Sequence, residues 1–413
     1  MWVRRILNCP SRQHDNLVQL SGFLKGVSFR KLIVRPILTV RTPLRGEISN
    51  VVSRRCLHAS SGAGSHEGLR GAETGALLEI QEVIRSINSL KSPSEKNLVA
   101  VLSNLSQAIA LADGSKMSVS DLSDAVYALR SCSSHKPIVR ELLGHFTNQL
   151  VQLGAESGGS SVALSARDVR SVVFGLRLCS NEHAEVDQFL AALAVHLKKF
   201  GVVADADAGP GLAIIPGAVA HYNDISLIYG LQSMRNNADS AAEGEVGGLA
   251  QLVESLSPYL QTMFDGTGAD LLQKQSQPPL APVSISMAMY GLSNMRVEGT
   301  TASPAELAVE RLILLLTRAV DTATEQAFHR TKSGAPLAMT TQGLGMIAFG
   351  LRNLSSDNAA VRPLVRSLSQ YMGVLVESGA VTGDFSARDL GKVIVGVRGL
   401  SSEHAEVRAF MTA

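Results

Sequence analysis

The chain has 413 residues, 45% of them hydrophobic, and a formal charge of +2 at pH 7. That apolar content is ample for a folded core, and aromatics at only 4% with 14 prolines favour helices over a strand-rich fold. No apolar run reaches the roughly 18 residues of a membrane-spanning helix, which argues against membrane insertion.

Charge is unevenly distributed. Residues 1–58 hold eleven of the 38 basic residues, from Arg4 to Arg55, but only two of the 36 acids, Asp15 and Glu47. An Arg-rich, acid-poor, Ser-containing leader has the make-up of an organellar transit peptide. The stretch Arg55-Cys-Leu-His-Ala-Ser60 resembles a mitochondrial two-step processing site and places the mature start between Leu57 and Ser65. Residues 1–64 are therefore read as a disordered mitochondrial transit peptide, with a plastid leader or a plain basic tail as the alternatives. The rest of the chain carries 27 bases against 34 acids, a charge of −7. A bulk-charge argument for nucleic acid binding fails, and any RNA contact depends on where the basic residues sit.

Residues 65–117 show helical patterns around Leu77–Leu90 and Leu98–Leu111, broken at Ser92-Pro93, and read as N-terminal cap helices. From 118 to 413 the chain repeats itself. Ser165–Val186 and Ser386–Val407 agree at 13 of 22 positions without a gap. A short signature, aromatic–Gly–Leu–Arg, extends the series to six copies. Their anchoring apolar residues are Leu129, Leu176, Leu231, Leu292, Leu351 and Val397, which lie 47, 55, 61, 59 and 46 residues apart.

Each copy reads as a helix pair. Val169, Val172, Val173 and Leu176 fall at i, i+3, i+4 and i+7, one face of a helix, and the face recurs in the other copies. Ser118, Ser165 and Ser386 each precede an Asp by three residues, the spacing of a capping box. The glycine before the anchor (Gly175, Gly230, Gly291, Gly350, Gly396; Ala128 in the first copy) costs a helix about 1 kcal/mol against Ala. Its recurrence predicts a close helix approach. Second helices follow short polar breaks such as SNEH and SSEH, and polar or Gly/Pro-rich insertions of varying length separate the copies. The sixth copy stops at Ala413, about eight residues before the point equivalent to Phe200, so the last repeat reads as truncated. The expected fold is an all-α solenoid of about six helical hairpins. Tyr127, Phe174, Tyr229, Tyr290 and Phe349 should stand at inter-helix contacts.

Residues capable of catalysis or metal binding are few. Cys132 and Cys179 occupy a position held elsewhere by Met or Leu and read as buried hydrophobes. No CxxC or HExxH spacing points to a metal, and no cofactor motif is present. His183 and His404 are equivalent and begin helices, so they read as isolated surface residues. Gly391-Lys392 lacks the glycine loop of a P-loop, and Gly154-Ala-Glu-Ser157-Gly is off the spacing of a nucleophile elbow. The chain reads as a non-enzyme.

One recurrent feature bears on binding. Arg130, Arg177, Arg352 and Arg398 follow the anchor, with Gln232 and Ser293 in the other two copies. Two readings stay open: cations bonding the last carbonyls of a helix, or a guanidinium ladder for a phosphate backbone. A second stripe, nine and five residues before the anchor, includes Arg167, Gln342 and Arg388. Its variation suits a base-reading surface or an unconstrained solvent face, and its Met and Val members suggest partial burial. Asn353, beside Arg352, joins the candidate RNA-binding residues.

Paired helices, the aromatic–Gly–Leu–Arg signature at Tyr127–Ser133, Phe174–Ser180, Tyr229–Met234, Tyr290–Met295, Phe349–Ser355 and Gly396–Ser401, and the basic leader together resemble organellar helical-repeat proteins. These include the repeat domain of the kinetoplastid mitochondrial RNA-editing substrate-binding complex. More loosely, the chain is similar to octatricopeptide and FAST-kinase-like repeats. The resemblance covers roughly residues 77–413. It implies binding of single-stranded RNA, or assembly with other protein subunits of an organellar RNA-processing complex. The alternative is a protein-binding scaffold in a mitochondrial ribonucleoprotein or ribosome assembly, without direct RNA contact.

Overall fold

Where the sequence supplies a side-chain acceptor, a helix begins. Ser118, Ser165 and Ser386 each accept a hydrogen bond from the backbone N–H three residues on, at 3.1 Å. At Ser165 the Asp168 carboxylate also accepts the Ser165 N–H at 3.1 Å and closes the capping box. Thr340 plays the same part for Gly343. Ser303 and Glu306 form a further box that the repeat alignment did not reveal. A cap of this kind contributes about 1 kcal/mol.

The computed structural model describes Leu102, Ser103, Ser106 and residues 117–155, 163–203, 222–236, 246–262, 280–298, 303–333 and 338–413. The leader, nearly all of the N-terminal cap and most of the insertions lie outside the described residues. Of the cap, Leu102 is buried in the core and Ser106 donates to Glu141 at 2.6 Å.

The described residues are predominantly helical and all-α in class. First helices are α1 (Val119–Ala128), α3 (Ala166–Gly175), the 3-10 segment Tyr222–Leu231, α6 (Pro282–Gly291), α8 (Thr341–Gly350) and α10 (Ala387–Gly396). Second helices are α2 (Pro137–Ala155), α4 (Ala184–Phe200), α5 (Gly248–Gln261), α7 (Pro304–Ser333), α9 (Val361–Glu377) and α11 (Ala405–Thr412). Each first helix packs on the first helix of the neighbouring copy, and each second helix does likewise. Two rows result, with the core between them.

The face read from the sequence is buried in the first two copies, whereas in the sixth Leu390 and Val393 are half-buried and Ile394 is 44% exposed. Val169, Val172, Val173 and Leu176 are sealed, as are Leu122, Ala125, Val126 and Leu129. Cys132 and Cys179 are buried free thiols in the same core. The third copy departs from expectation in winding as a 3-10 helix throughout.

The glycines explain how closely the first row packs. A Cβ on Gly175 would stand 2.2 Å from the Val126 carbonyl oxygen. The same encounter occurs at 2.1 Å for Gly230 with Val173, 2.0 Å for Gly291 with Ile228, 2.1 Å for Gly350 with Met289 and 2.0 Å for Gly396 with Ala348. Every glycine meets the carbonyl three residues before the preceding anchor. The side chain is absent because a backbone occupies its place.

Strand pairing is minimal. β1 (Leu164–Ser165) pairs in parallel with β2 (Val202–Val203), and β3 (Met339–Thr340) with β4 (Val381–Thr382). Each pair joins the residues just before a first helix, α3 or α8, to the segment that follows the next second helix, α4 or α9, and neither passes through an anchor.

Candidate nucleic-acid interface

The first-row helices bury one face and turn the other outward, and the signature aromatics lie along that outer edge. Consecutive ring centroids are 5.8 Å apart for Tyr127–Phe174 and for Phe174–Tyr229, 6.0 Å for Tyr229–Tyr290 and 5.4 Å for Tyr290–Phe349. Rings at these separations touch one another. The ladder is continuous and half-buried. A nucleobase cannot enter between its rungs without forcing them apart.

Three of the four arginines stand over the ring of their own copy. The guanidinium carbon of Arg130 is 4.5 Å from the Tyr127 centroid, that of Arg177 4.8 Å from Phe174 and that of Arg352 4.4 Å from Phe349. Each such cation–π contact contributes about 0.5–1 kcal/mol at a partly exposed site. The arginines also join neighbouring copies. Arg177 donates its Nε–H to the Arg130 carbonyl at 2.7 Å, and Arg352 donates its Nε–H to the Ser293 carbonyl and an Nη to Asn294. Arg130 bonds the Tyr127 carbonyl of its own helix at 3.3 Å. The expectation of simple helix-end cations therefore holds only for Arg130. In Arg177 and Arg352 the same fork reaches across to the preceding copy. Burial lowers the pKa of Arg352, and the neighbouring Arg398 charge acts in the same direction.

Copies without an arginine replace it one position later. Ser233 donates to the Arg177 carbonyl at 2.8 Å, and Asn294 donates to the Gln232 carbonyl. Asn353 donates to the Ser293 carbonyl at 2.9 Å, and its side-chain oxygen lies 3.5 Å from an Nη of Arg398. The structure thus brings Arg352, Asn353 and Arg398 together and links Arg130 to Arg177. The uncharged Gln232 and Ser293 separate the two groups.

A second ladder escaped the sequence reading. The side chain five residues after the anchor accepts the backbone N–H four residues after the next anchor. Ser134 accepts from Ser180 at 2.8 Å, Asn181 from Arg235 at 2.8 Å, Asn236 from Arg296 at 2.7 Å and Ser356 from Ser401 at 2.8 Å. Where the fourth copy has Val297, its backbone carbonyl accepts from Ser355 at 3.1 Å instead. The turns after the first helices are therefore stacked in register. Arg235 and Arg296 project from those turns, 51% and 67% exposed, and pair with Glu182 and Glu298.

Of the outer stripe, Arg167, Gln342, Arg388 and also Val283 are exposed. For Val283, at 60%, this corrects the expected partial burial: its position lies on the solvent side of α6. A recess of about 210 Å³ opens beside the first rungs, lined by Tyr127, Arg170, Ser171, Phe174, Ser226 and Leu227. Arg170 is ion-paired at 2.9 Å with buried Asp224, whose other oxygen accepts the Tyr259 hydroxyl at 2.7 Å.

Charge on this face differs from that of the chain. Among the described residues, the first helices and the turns that lead from them to the second helices hold eleven basic residues against nine acids. Three of those acids, Asp121, Asp168 and Asp389, bond the cap serines, and Asp224 is buried. His183 and His404 begin α4 and α11, as expected. His183 lies 3.4 Å from His135, and His404 3.3 Å from Asp357. Among the described residues no group of three or more His, Cys, Asp or Glu could hold a metal ion, and no helix is long and apolar enough to cross a membrane.

No family model, curated protein or solved structure matches the chain.

Proposed function

We propose that the chain is an RNA-binding adaptor of a mitochondrial RNA-processing complex, its helix pairs forming an α-solenoid that holds single-stranded RNA along the first-row edge. One observation carries this reading: in a chain whose residues beyond 58 sum to −7, the described first helices and their turns hold eleven bases against nine acids, and six of those acids bond cap serines, are buried or pair with an arginine. Mutual repulsion of the Arg352 and Arg398 charges adds to it, since a bound anion relieves that repulsion. A guanidinium that stacks by its face keeps its edge N–H groups for phosphate, which suits Arg better than Lys. With contacting aromatic rungs, affinity comes from phosphate contacts more than from base stacking. The leader and the resemblance to organellar repeat proteins supply the compartment.

The exposed residues Arg167, Arg388 and Arg398 make the cleanest test, because replacing them leaves the hydrogen bonds of Arg177 and Arg352 intact. Binding of an oligouridine, followed by fluorescence anisotropy between about 50 and 300 mM salt, should weaken with a log–log slope of about −0.7 per phosphate contact. The triple Arg→Gln variant should lose about 2 units of slope with its melting temperature unchanged. An unchanged slope rejects the reading.

One observation favours the second reading, a protein-binding scaffold. In the fourth copy the outer stripe is apolar, with exposed Val283 and half-buried Met287 on one helix. Methionine-rich surfaces adapt to protein partners.

A further inference from the structure

The four arginines read from the signature leave a gap of two copies, which a continuous phosphate backbone would have to cross without a cation. The stacked turns fill it. Copies three and four lack Arg just after the anchor, yet each carries one three residues later, Arg235 and Arg296, where the other copies have serine. We propose that Arg235 and Arg296 are RNA-contacting residues that carry the cation track across the middle of the array, so that each copy supplies one arginine. This rests on the RNA-binding reading above and extends its site.

Two features of the geometry support the placement. The backbone N–H of Arg235 is held by Asn181 and that of Arg296 by Asn236, and both amides donate back to the carbonyls of the same residues at 2.8 and 2.6 Å. These two-way bonds fix the position from which each side chain springs, on turns in the same stacked row as those that carry Arg177 and Arg352. Arg235 is also close enough to Arg352 for its charge to depress that group's pKa, so the two belong to one electrostatic neighbourhood.

The present partners of the two arginines are carboxylates on solvent-exposed chains: Glu182 is 42% and Glu298 57% exposed. Exposed ion pairs of this kind are weak and exchangeable. A phosphate offers the same oxygen geometry to the guanidinium fork. The glutamates therefore act as stand-in anions that compete with RNA for the track.

The test uses the same oligouridine titration on the full chain. Arg235→Gln with Arg296→Gln should lower the salt slope by about 1.4. Glu182→Gln with Glu298→Gln should act oppositely and raise affinity about threefold to tenfold at low salt. Arg311→Gln with Arg318→Gln, on the outer face of α7, serves as the control and should leave the slope as it is. Melting curves by circular dichroism keep folding out of the comparison. If the Arg235/Arg296 variant keeps the wild-type slope while the Arg167/Arg388/Arg398 variant loses its share, RNA binding stands and this track is wrong. An equal loss from the α7 control also overturns the track, because bulk charge then explains it. If the wild-type chain binds no oligouridine, both readings fall.

Discussion

At the scale of single residues, Arg177 shows how one side chain serves several demands. Its ring contact to Phe174, its Nε–H bond to the previous copy and its charge use different parts of the guanidinium. Cys179 is simpler. Burial pushes its thiol up to about 12 and raises that of Cys132 as well. At pH 8 only about one Cys179 in ten thousand is then thiolate, the form that reacts. Neither cysteine should react with a thiol reagent in the folded protein at pH 8, and both should react once it is unfolded in denaturant. Rapid native labelling of Cys132 or Cys179, measured by mass spectrometry, would contradict the buried position.

At the scale of helices, glycine gives matched experiments of opposite sign. Gly230 and Gly291 have a carbonyl where a Cβ would go, whereas Gly144 in α2 and Gly373 in α9 have nothing within 4 Å. Gly144→Ala and Gly373→Ala should stabilise by up to about 1 kcal/mol through helix propensity. Gly230→Ala and Gly291→Ala should instead destabilise by about 1–3 kcal/mol, because the rows must separate. Thermal melting of the four variants decides, and an upward shift for Gly230→Ala would refute the close packing. The cap of α10 makes a pH prediction. The Ser386 hydroxyl bond, aided by Lys392, holds the Asp389 carboxyl below the usual carboxylate range. A carboxylate whose folded pKa is depressed contributes stability that is present in full above its unfolded value of about 3.9 and lost as pH falls through the folded one. Wild type should therefore melt above Asp389→Asn at pH 6, and the two curves should converge toward pH 2.

These elements also show which signals the sequence carries. The glycines, cap serines and aromatic rungs recur at fixed offsets because each is demanded by a contact that every copy makes, so alignment of the chain with itself finds them. The row of Ser134, Asn181, Asn236 and Ser356 is harder to see. It mixes two residue types, breaks at Val297, and looks like ordinary polar turn chemistry until the partner some 45–60 residues away is known. The cations of the middle copies were missed for a related reason: Arg235 and Arg296 keep the charge of the signature but not its offset. The 3-10 winding of Tyr222–Leu231 has no counterpart in the residue pattern at all.

At the scale of the whole molecule, the principal packing partners of every described helix belong to its own copy or an adjacent one. Excision of residues 177–231 tests how far this independence goes. The deletion joins Leu176 to Gln232, sets Arg235 N–H against Ser134 and brings Ser233 to the Arg130 carbonyl, so both hydrogen-bond ladders find equivalent partners. The shortened chain should remain soluble and helical with a cooperative melt. Aggregation or loss of the helical circular dichroism signal would show that the copies are not interchangeable.

The Asn and Ser ladder also bears on how such a chain can change its length. Its acceptor and its donor sit in the same turn, at adjacent positions, so every unit carries both halves of the joint. A tandem duplication in the gene would deliver a new unit already fitted to the one before and the one after. Even Val297 does not interrupt this, since the backbone carbonyl takes over where the side chain cannot accept. Unequal recombination can therefore lengthen or shorten the molecule without a new interface having to evolve.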